Sequence, residues 1–348
     1  MPISMPTSMR EALPAAALAT YLRNRLSSAD AEITIEQFPS GHSNLTYLVT
    51  MDGREYVLRR APFGPLPPKA HDMPREYRIL EAVNPHFTEA PRVYHLCEDP
   101  SVIGAVFFLM ERRRGIILRD QIPPEVKAVA NYPQRISEAF IDGLVRLHSI
   151  DVSSQPLSEF GRPEGYLERQ VRGWADRWDR AKTEETPVMD RVIDWLVKRL
   201  PRSPAPALIH NDYKLDNVVL APPLDRIEAV LDWEMATVGD PLSDLGLTLG
   251  YWAWANAPDV QAASIPSFTS QPGWFTRDEF VERYAQRTAR DVSGIGYYEV
   301  FGVFKIAVII QQIYFRFHQG QTNDERFRNF GTRVQGLVRL AASLAERS

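Results

Sequence analysis

Cysteine is nearly absent from this sequence: Cys97 is the only one in 348 residues. A lone thiol can form no intramolecular disulfide and no thiolate metal cage, and such usage fits a reducing cytoplasm. An excess of either charge is lacking too. The formal net charge is −4 and the pI is near 6.0. That balance offers no broad basic surface for nucleic acid or for an anionic membrane, though it leaves room for a local pocket around a small anion. Long apolar runs are also missing. The most apolar, residues 301–315, is broken by Lys305 and by Gln311–Gln312. It falls short of the roughly 20 residues that cross a bilayer, so a core helix is expected there. The opening MPISMPTSMREALPAAALATYL has no charged segment followed by an apolar core, and no signal peptide is expected. No repeat period or low-complexity tract is visible.

What remains has the composition of an ordinary globular protein, with 44% hydrophobic and 24% charged residues. Its length suits two domains. An alanine- and leucine-rich helix is expected over 11–26. Three β-branched and aromatic segments follow, ITIEQF (33–38), LTYLVT (45–50) and REYVLRR (54–60). Asp52-Gly53 joins the second and third as a tight hairpin turn. After a proline-rich loop, REYRILEAV (75–83) reads as a helix, and VYHLCE and AVFFLMER as two more strands. From Pro124 the pattern changes to amphipathic helices, expected over 137–148, 166–182 and 187–200 and again after Asp240. Only VVL (218–220) and IEAVL (227–231) interrupt them, as a short hairpin closed by APPLDR. An α+β fold is therefore expected, with a sheet-rich lobe over 1–112 and a helical lobe over 113–348.

HNDYKLDN (210–217) is dense in polar side chains between two apolar stretches. It enters the first strand of the expected hairpin, and Asp232 follows the second strand at once. Antiparallel pairing brings those strand ends to one edge, so Asn217 and Asp232 should be neighbours with Asp212 close by. A carboxylate and an amide oxygen facing one point are hard oxygen ligands, of the kind Mg²⁺ accepts when phosphates and water complete its shell.

With that motif, the sequence resembles the aminoglycoside phosphotransferase-type kinases, relatives of the protein kinases. HNDYKLDN is similar to their catalytic loop and LDWEMATVGDPLSDLG to their metal-binding segment. The resemblance implies a bilobal protein-kinase-like fold, an antiparallel N-lobe sheet and ATP as phosphate donor. It implies that Asp212 accepts the proton of a substrate hydroxyl, and that Asn217 and Asp232 hold Mg²⁺. His210 joins the catalytic set as a support for the loop backbone. Asp240, before Pro241, is expected to cap the following helix, and Asp244 to favour the positive end of that helix.

On the nucleotide side, PSGHSN (39–44) is the expected phosphate cover, through Gly41, His42, Ser43 and Asn44. It carries one glycine where protein kinases carry three. Arg59, on the face of Val57, takes the place of the usual lysine, and Glu76 is its expected carboxylate partner. Arg60 points to the other face. FFLMERRRG (107–115) resembles the hinge, where backbone groups from Met110 and Glu111 to Arg113 would hold adenine.

GPLPPKAHDMPREYRIL (64–80), YLERQVRGWADRW (166–178) and GDPLSDLGLTLGYW (239–252) resemble the kinase-like domains fused to, or encoded beside, acyl-CoA dehydrogenases. That resemblance, over residues 30–255, implies a small-molecule hydroxyl acceptor such as a hydroxyacyl chain or its CoA ester. Aminoglycosides are polycations and call for carboxylates. Residues 245–348 instead carry 11 Lys+Arg against 9 Asp+Glu, with aromatics in YWAWAN (251–256) that suit an apolar acceptor or simple helix packing. An aminoglycoside or other small-alcohol kinase stays open as an alternative. So does a nucleotide-binding pseudokinase acting through partners.

Overall fold

The computed structural model describes residues 13–26, 30–38, 45–61, 71–119, 121–252 and 267–348. The chain folds as two compact units, Met1–Arg114 and Gly115–Ser348.

The first unit opens with helix α1 (Ala15–Leu26), which buries Leu18 and Leu22, one turn apart on one face. Strands β1 (Ile33–Gln37), β2 (Leu45–Met51) and β3 (Arg54–Arg60) follow, then α2 (Met73–Val83), β4 (Val93–Cys97) and β5 (Phe107–Glu111). They form one antiparallel sheet in the order β1-β2-β3-β5-β4. Asp52 and Gly53 both have positive φ, 48° and 73°. That is the backbone a two-residue turn requires, and it sets the register Met51 opposite Arg54.

Strand alternation then sorts the side chains. One face carries Tyr47, Val49, Leu58, Phe107 and Leu109 against α1. The other carries Val57, Arg59, Phe108 and Met110, and Tyr77 of α2 meets the Phe108 ring edge-on at 6.1 Å. Asp72 caps α2 by accepting from the Arg75 amide at 2.9 Å.

The second unit begins its long helices with α3 (Tyr132–His148), α4 (Tyr166–Ala181) and α5 (Pro187–Lys198). Helix α3 starts five residues before the expected position, because Pro133 lies in the first turn, where its missing N–H costs nothing. Four short strands follow: β6 (Ala207–Ile209), β7 (Val218–Leu220), β8 (Ile227–Val230) and β9 (Thr237–Gly239). The expected hairpin is β7–β8, with Val218 opposite Val230. The pair β6–β9 goes beyond the sequence expectation; three residues each are too short to show a period. It pairs antiparallel, Ile209 opposite Thr237. The inner hairpin is therefore nested within the outer pair, and the two connecting loops, 210–217 and 231–236, leave from the same end.

The later long helices among the described residues are α6 (Pro241–Tyr251), α7 (Arg277–Thr288), α8 (Ile295–His318) and α9 (Phe330–Arg347). Helix α8 is the core helix expected over 301–315, but longer. At 24 residues it is long and apolar enough, by length and composition, to cross a membrane. More than half of its most apolar window is buried inside the unit, with Val300–Val308 enclosed by α4, α6 and α9. Gly246 of α6 and Gly302 of α8 face each other so closely that a Cβ on either would meet the other helix's backbone. This approach fixes α6 against α8 and, with it, the acidic first turn of α6.

Candidate active site

The nesting of the strands answers why loop 210–217 is so polar. Its backbone and that of loop 231–236 hydrogen-bond to each other where sheet pairing stops. The Leu231 amide donates to the Asn217 carbonyl at 2.8 Å. Asn211 Nδ2 donates to the Met235 carbonyl at 3.1 Å. His210 Nε2 lies 3.0 Å from the Leu231 carbonyl oxygen, so it carries the proton and donates. His210 is fully buried, edge-on to Trp233 at 5.1 Å. Burial pushes its pKa down, which keeps the ring neutral. It is a strut between the two loops.

Asp212 is half-buried, with about a fifth of its side chain open to solvent (21%), while Asp216 is the exposed member of the loop. Asn217 Nδ2 donates to Asp212 Oδ2 at 2.8 Å and to the Asp212 carbonyl at 2.9 Å. Lys214 Nζ approaches the same Oδ2 at 3.1 Å and lies 5.2 Å from the Tyr251 ring centre. Burial works against the Lys214 charge, but Tyr251, Asp212 and Asp216 outweigh it and raise its pKa. Asp232 follows Leu231 in a left-handed conformation, φ 67°, at the start of the turn Trp233–Met235. The hairpin thus brings Asp212, Asn217 and Asp232 to one edge. Lys214 joins them, and its signal, a cation two residues after the aspartate, was available in the sequence.

Both Nδ2 hydrogens of Asn217 are used within the loop, so its Oδ1 is the donor atom left for a cation. With the Asp232 carboxylate it gives an all-oxygen pair, which fits Mg²⁺. Among the described residues no group of three or more His, Cys, Asp or Glu side chains converges as a metal cage.

Behind the loop, α6 does more than expected. Asp240 is the N-cap, accepting from the Leu242 amide at 2.9 Å and from the Tyr298 hydroxyl at 2.8 Å. Asp244, expected only to favour the positive helix end, has a larger role. Its fully buried carboxylate accepts the backbone N–H groups of His210 at 2.7 Å and Asn211 at 2.8 Å. His148 Nε2 stands 3.3 Å away, and His148 Nδ1 is 2.8 Å from the Tyr284 hydroxyl. Burial alone would raise the Asp244 pKa, but hydrogen bonds from the His148 side chain and the His210 backbone N–H hold it below the usual carboxylate range. Residue order gives no sign of this clamp, nor of Asn211, Tyr166 and Lys305, because its partners are 33 to 96 residues apart.

In the first unit, Arg59 Nε stands 3.4 Å from Glu76 Oε2, with both side chains at least nine-tenths buried. Arg60 faces the other way and donates to the Ile103 and Ala61 carbonyls, each at 3.0 Å. Gly41, His42, Ser43 and Asn44 lie outside the described residues. In the hinge stretch, Met110 is buried. The Glu111 amide already donates to the Arg92 carbonyl at 2.7 Å. Its carboxylate pairs with Arg113 at 3.0 Å. The sheet has taken the Glu111 N–H, so the expectation of adenine along Glu111 to Arg113 rests on the other backbone groups of that stretch. Of YWAWAN, Trp252 is core, stacked on Phe140 at 5.6 Å and donating to the Phe275 carbonyl. Residues 253–256 lie outside the described residues.

Residues 34–292 match the model of the phosphotransferase enzyme family. Acyl-CoA dehydrogenase family member 10 of Mus musculus is 33% identical over 99% of the chain, and family member 11 of the same organism is 34% identical over 95%. The chain spans only 32% and 43% of their respective lengths. Among solved structures, a proposed aminoglycoside phosphotransferase from Ralstonia eutropha is 28% identical, with TM-score 0.80, covering 97% of this chain and 99% of that one. Aminoglycoside phosphotransferase APH(4)-Ia, in ternary complex with AMP-PNP and hygromycin B, shares the fold at 18% identity and TM-score 0.59, covering 93% of this chain and 98% of that one. On these grounds the chain belongs to the phosphotransferase enzyme family, as a kinase-like α+β protein that transfers phosphoryl groups to hydroxyl acceptors.

Proposed function

We propose that the chain moves the γ-phosphoryl group of ATP, with Mg²⁺, to a hydroxyl of a hydroxyacyl chain or its CoA ester. The observation that carries this reading is the convergence of the two loops, with Asn217 bonded to both Asp212 and the backbone of Leu231. Asp212 is the base. Lys214 and Asn217 converge on its Oδ2, and the carboxylate so held would receive the hydroxyl proton as the oxygen attacks. Asn217 and Asp232 would hold the metal, which when bound neutralises charge on the phosphate oxygens. Arg59, oriented by Glu76, supplies a planar cation for the phosphates.

The acceptor class rests on two supports. The relatives are acyl-CoA dehydrogenase family members, and residues 245–348 carry a balance of 11 basic against 9 acidic side chains. A polycationic acceptor would be better served by the reverse. An aminoglycoside acceptor is the second reading, favoured by the Ralstonia eutropha structure.

The test is a thermal-shift measurement with ATP and Mg²⁺, repeated with EDTA, followed by turnover on hydroxy acids, their CoA esters and aminoglycosides. A Mg²⁺-dependent shift, lost in Asp232→Ala, with turnover on a CoA ester is expected. An identical shift in EDTA would remove Asn217 and Asp232 as ligands. Turnover confined to aminoglycosides would transfer the assignment to the second reading.

A further inference from the structure

Lys305 lies midway along α8 and is only 2% exposed. A buried ammonium loses hydration that hydrogen bonds must replace. Its Nζ donates to the Asn211 carbonyl at 3.2 Å and to Asn211 Oδ1 at 3.3 Å. It also lies 5.4 Å from the centre of the Trp174 ring, within cation–π range. Both hydrogen bonds go to the residue immediately before Asp212.

Asn211 is held at every polar atom. It adopts a left-handed backbone, φ 65°, which asparagine tolerates better than most residues. Asp244 takes its amide, the Met235 carbonyl takes Nδ2, and the Tyr166 hydroxyl donates to Oδ1 at 3.1 Å. The carbonyl is left to Lys305. That carbonyl shares a rigid peptide plane with the Asp212 amide, so whatever grips it sets the direction from which the Asp212 side chain departs.

We propose that Lys305 is a positioning residue for phosphoryl transfer, fixing the Asn211–Asp212 peptide plane and thereby the aim of the Asp212 carboxylate. The inference rests on the reading of Asp212 as the base. A lysine placed for packing would run its stem through the core and take its ammonium to water. This one keeps its ammonium inside, on two neutral oxygens.

The charged groups bearing on Lys305 are Asp244 of α6, Asp212 of the loop and Arg177 of α4. Helices α5 and α9, which also touch α8, add no charge to that set. Burial pushes the Lys305 pKa down to about 8, Arg177 adds to that, and the two aspartates oppose it. Below that pH the ammonium grips the carbonyl; above it a neutral amine holds more weakly.

The experiment is an NMR titration of the ¹³Cε of Lys305 and the backbone amide of Asp212 in the intact chain, beside steady-state hydrolysis of Mg²⁺-ATP with water as acceptor. The Asp212 amide is expected to shift with the midpoint of Lys305. Lys305→Met, unbranched and of similar length, is expected to flatten that amide titration. It should lower kcat about tenfold or more while the KM for ATP changes less than about threefold. Lys305→Arg should restore part of the loss. An Asp212 amide that stays still while Lys305 titrates overturns the inference, as does a folded Lys305→Met with wild-type kcat. If Lys305→Met fails to fold, the wild-type titration alone decides. Failure to bind Mg²⁺-ATP would overturn the kinase reading instead, and the amide titration would still judge the contact.

Discussion

The sheet unit and the helical unit place their charged residues by different means. In the sheet unit, Arg59 and Glu76 meet through one strand and the helix that follows it, 17 residues apart in sequence. Alternation along β3 sends Arg59 to the α2 face and Arg60 to the other, so a period of two decides which arginine meets the carboxylate. In the helical unit, the His210–Asn211 segment that leads into Asp212 is held by Asp244, Tyr166 and Lys305, with His148 behind Asp244, brought from four different helices. No local period relates them. The comparison teaches that a two-residue ion pair can be specified by neighbouring elements, whereas a loop in a left-handed conformation needs a shell collected from across the core.

The largest effect is expected at the centre of that shell. Asp212→Asn should lower kcat by about 10²–10⁴-fold, the range of a lost general base, with ATP affinity nearly intact. Isothermal titration with Mg²⁺-ATP beside turnover on a verified acceptor separates the two. Wild-type turnover would remove Asp212 as base.

Asp244→Ala tests whether the shell is a stability element as well. It strips two backbone amides and His148 of a buried acceptor, and should cost about 3–5 kcal/mol by denaturant unfolding. The pH dependence carries a definite sign. The folded Asp244 pKa is lowered, so its contribution is fully present above the unfolded carboxylate value and is lost as pH falls through the folded one. The gap between wild type and Asp244→Ala should therefore close toward acid. A gap that widens there would contradict the clamp.

A smaller effect should separate the sheet unit from the helical one. In a double-mutant cycle, Arg59→Ala and Glu76→Ala should couple by about 0.5–3 kcal/mol in unfolding free energy, because removing one leaves the other buried alone. Arg59→Lys should not restore full ATP affinity if the planar fork bridges carboxylate and phosphate. Additive losses, or a larger ATP defect from Arg60→Ala, would show that strand alternation had been misapplied.

The smallest change is expected at Asp240. As a helix cap bonded to the Leu242 amide and the Tyr298 hydroxyl, Asp240→Ala should cost about 0.5–2 kcal/mol and leave the Mg²⁺ dependence of ATP binding unchanged. Loss of Mg²⁺ binding at an unchanged melting temperature would move Asp240 into the site.

Much of this was legible in residue order because it depends on short spans. Asp52-Gly53 requires positive φ at both positions, so the turn and the register of β2 on β3 were written locally. The same holds for Asn217 and Asp232, since a six-residue link between two apolar strands leaves their ends side by side. What sequence alone left undetermined depends on packing. Strands β6 and β9 are three residues each, too short for a pattern, and pair only because β7 and β8 fold between them. Asp244 looked like a helix-end residue because its local position is one; that its carboxylate grips the loop follows from how α6 is seated beside β6. Lys305 looked like an interruption in an apolar run. Its partner lies 94 residues away, and only the docking of α8 makes a buried ammonium tolerable, by giving it the Asn211 carbonyl in exchange for water.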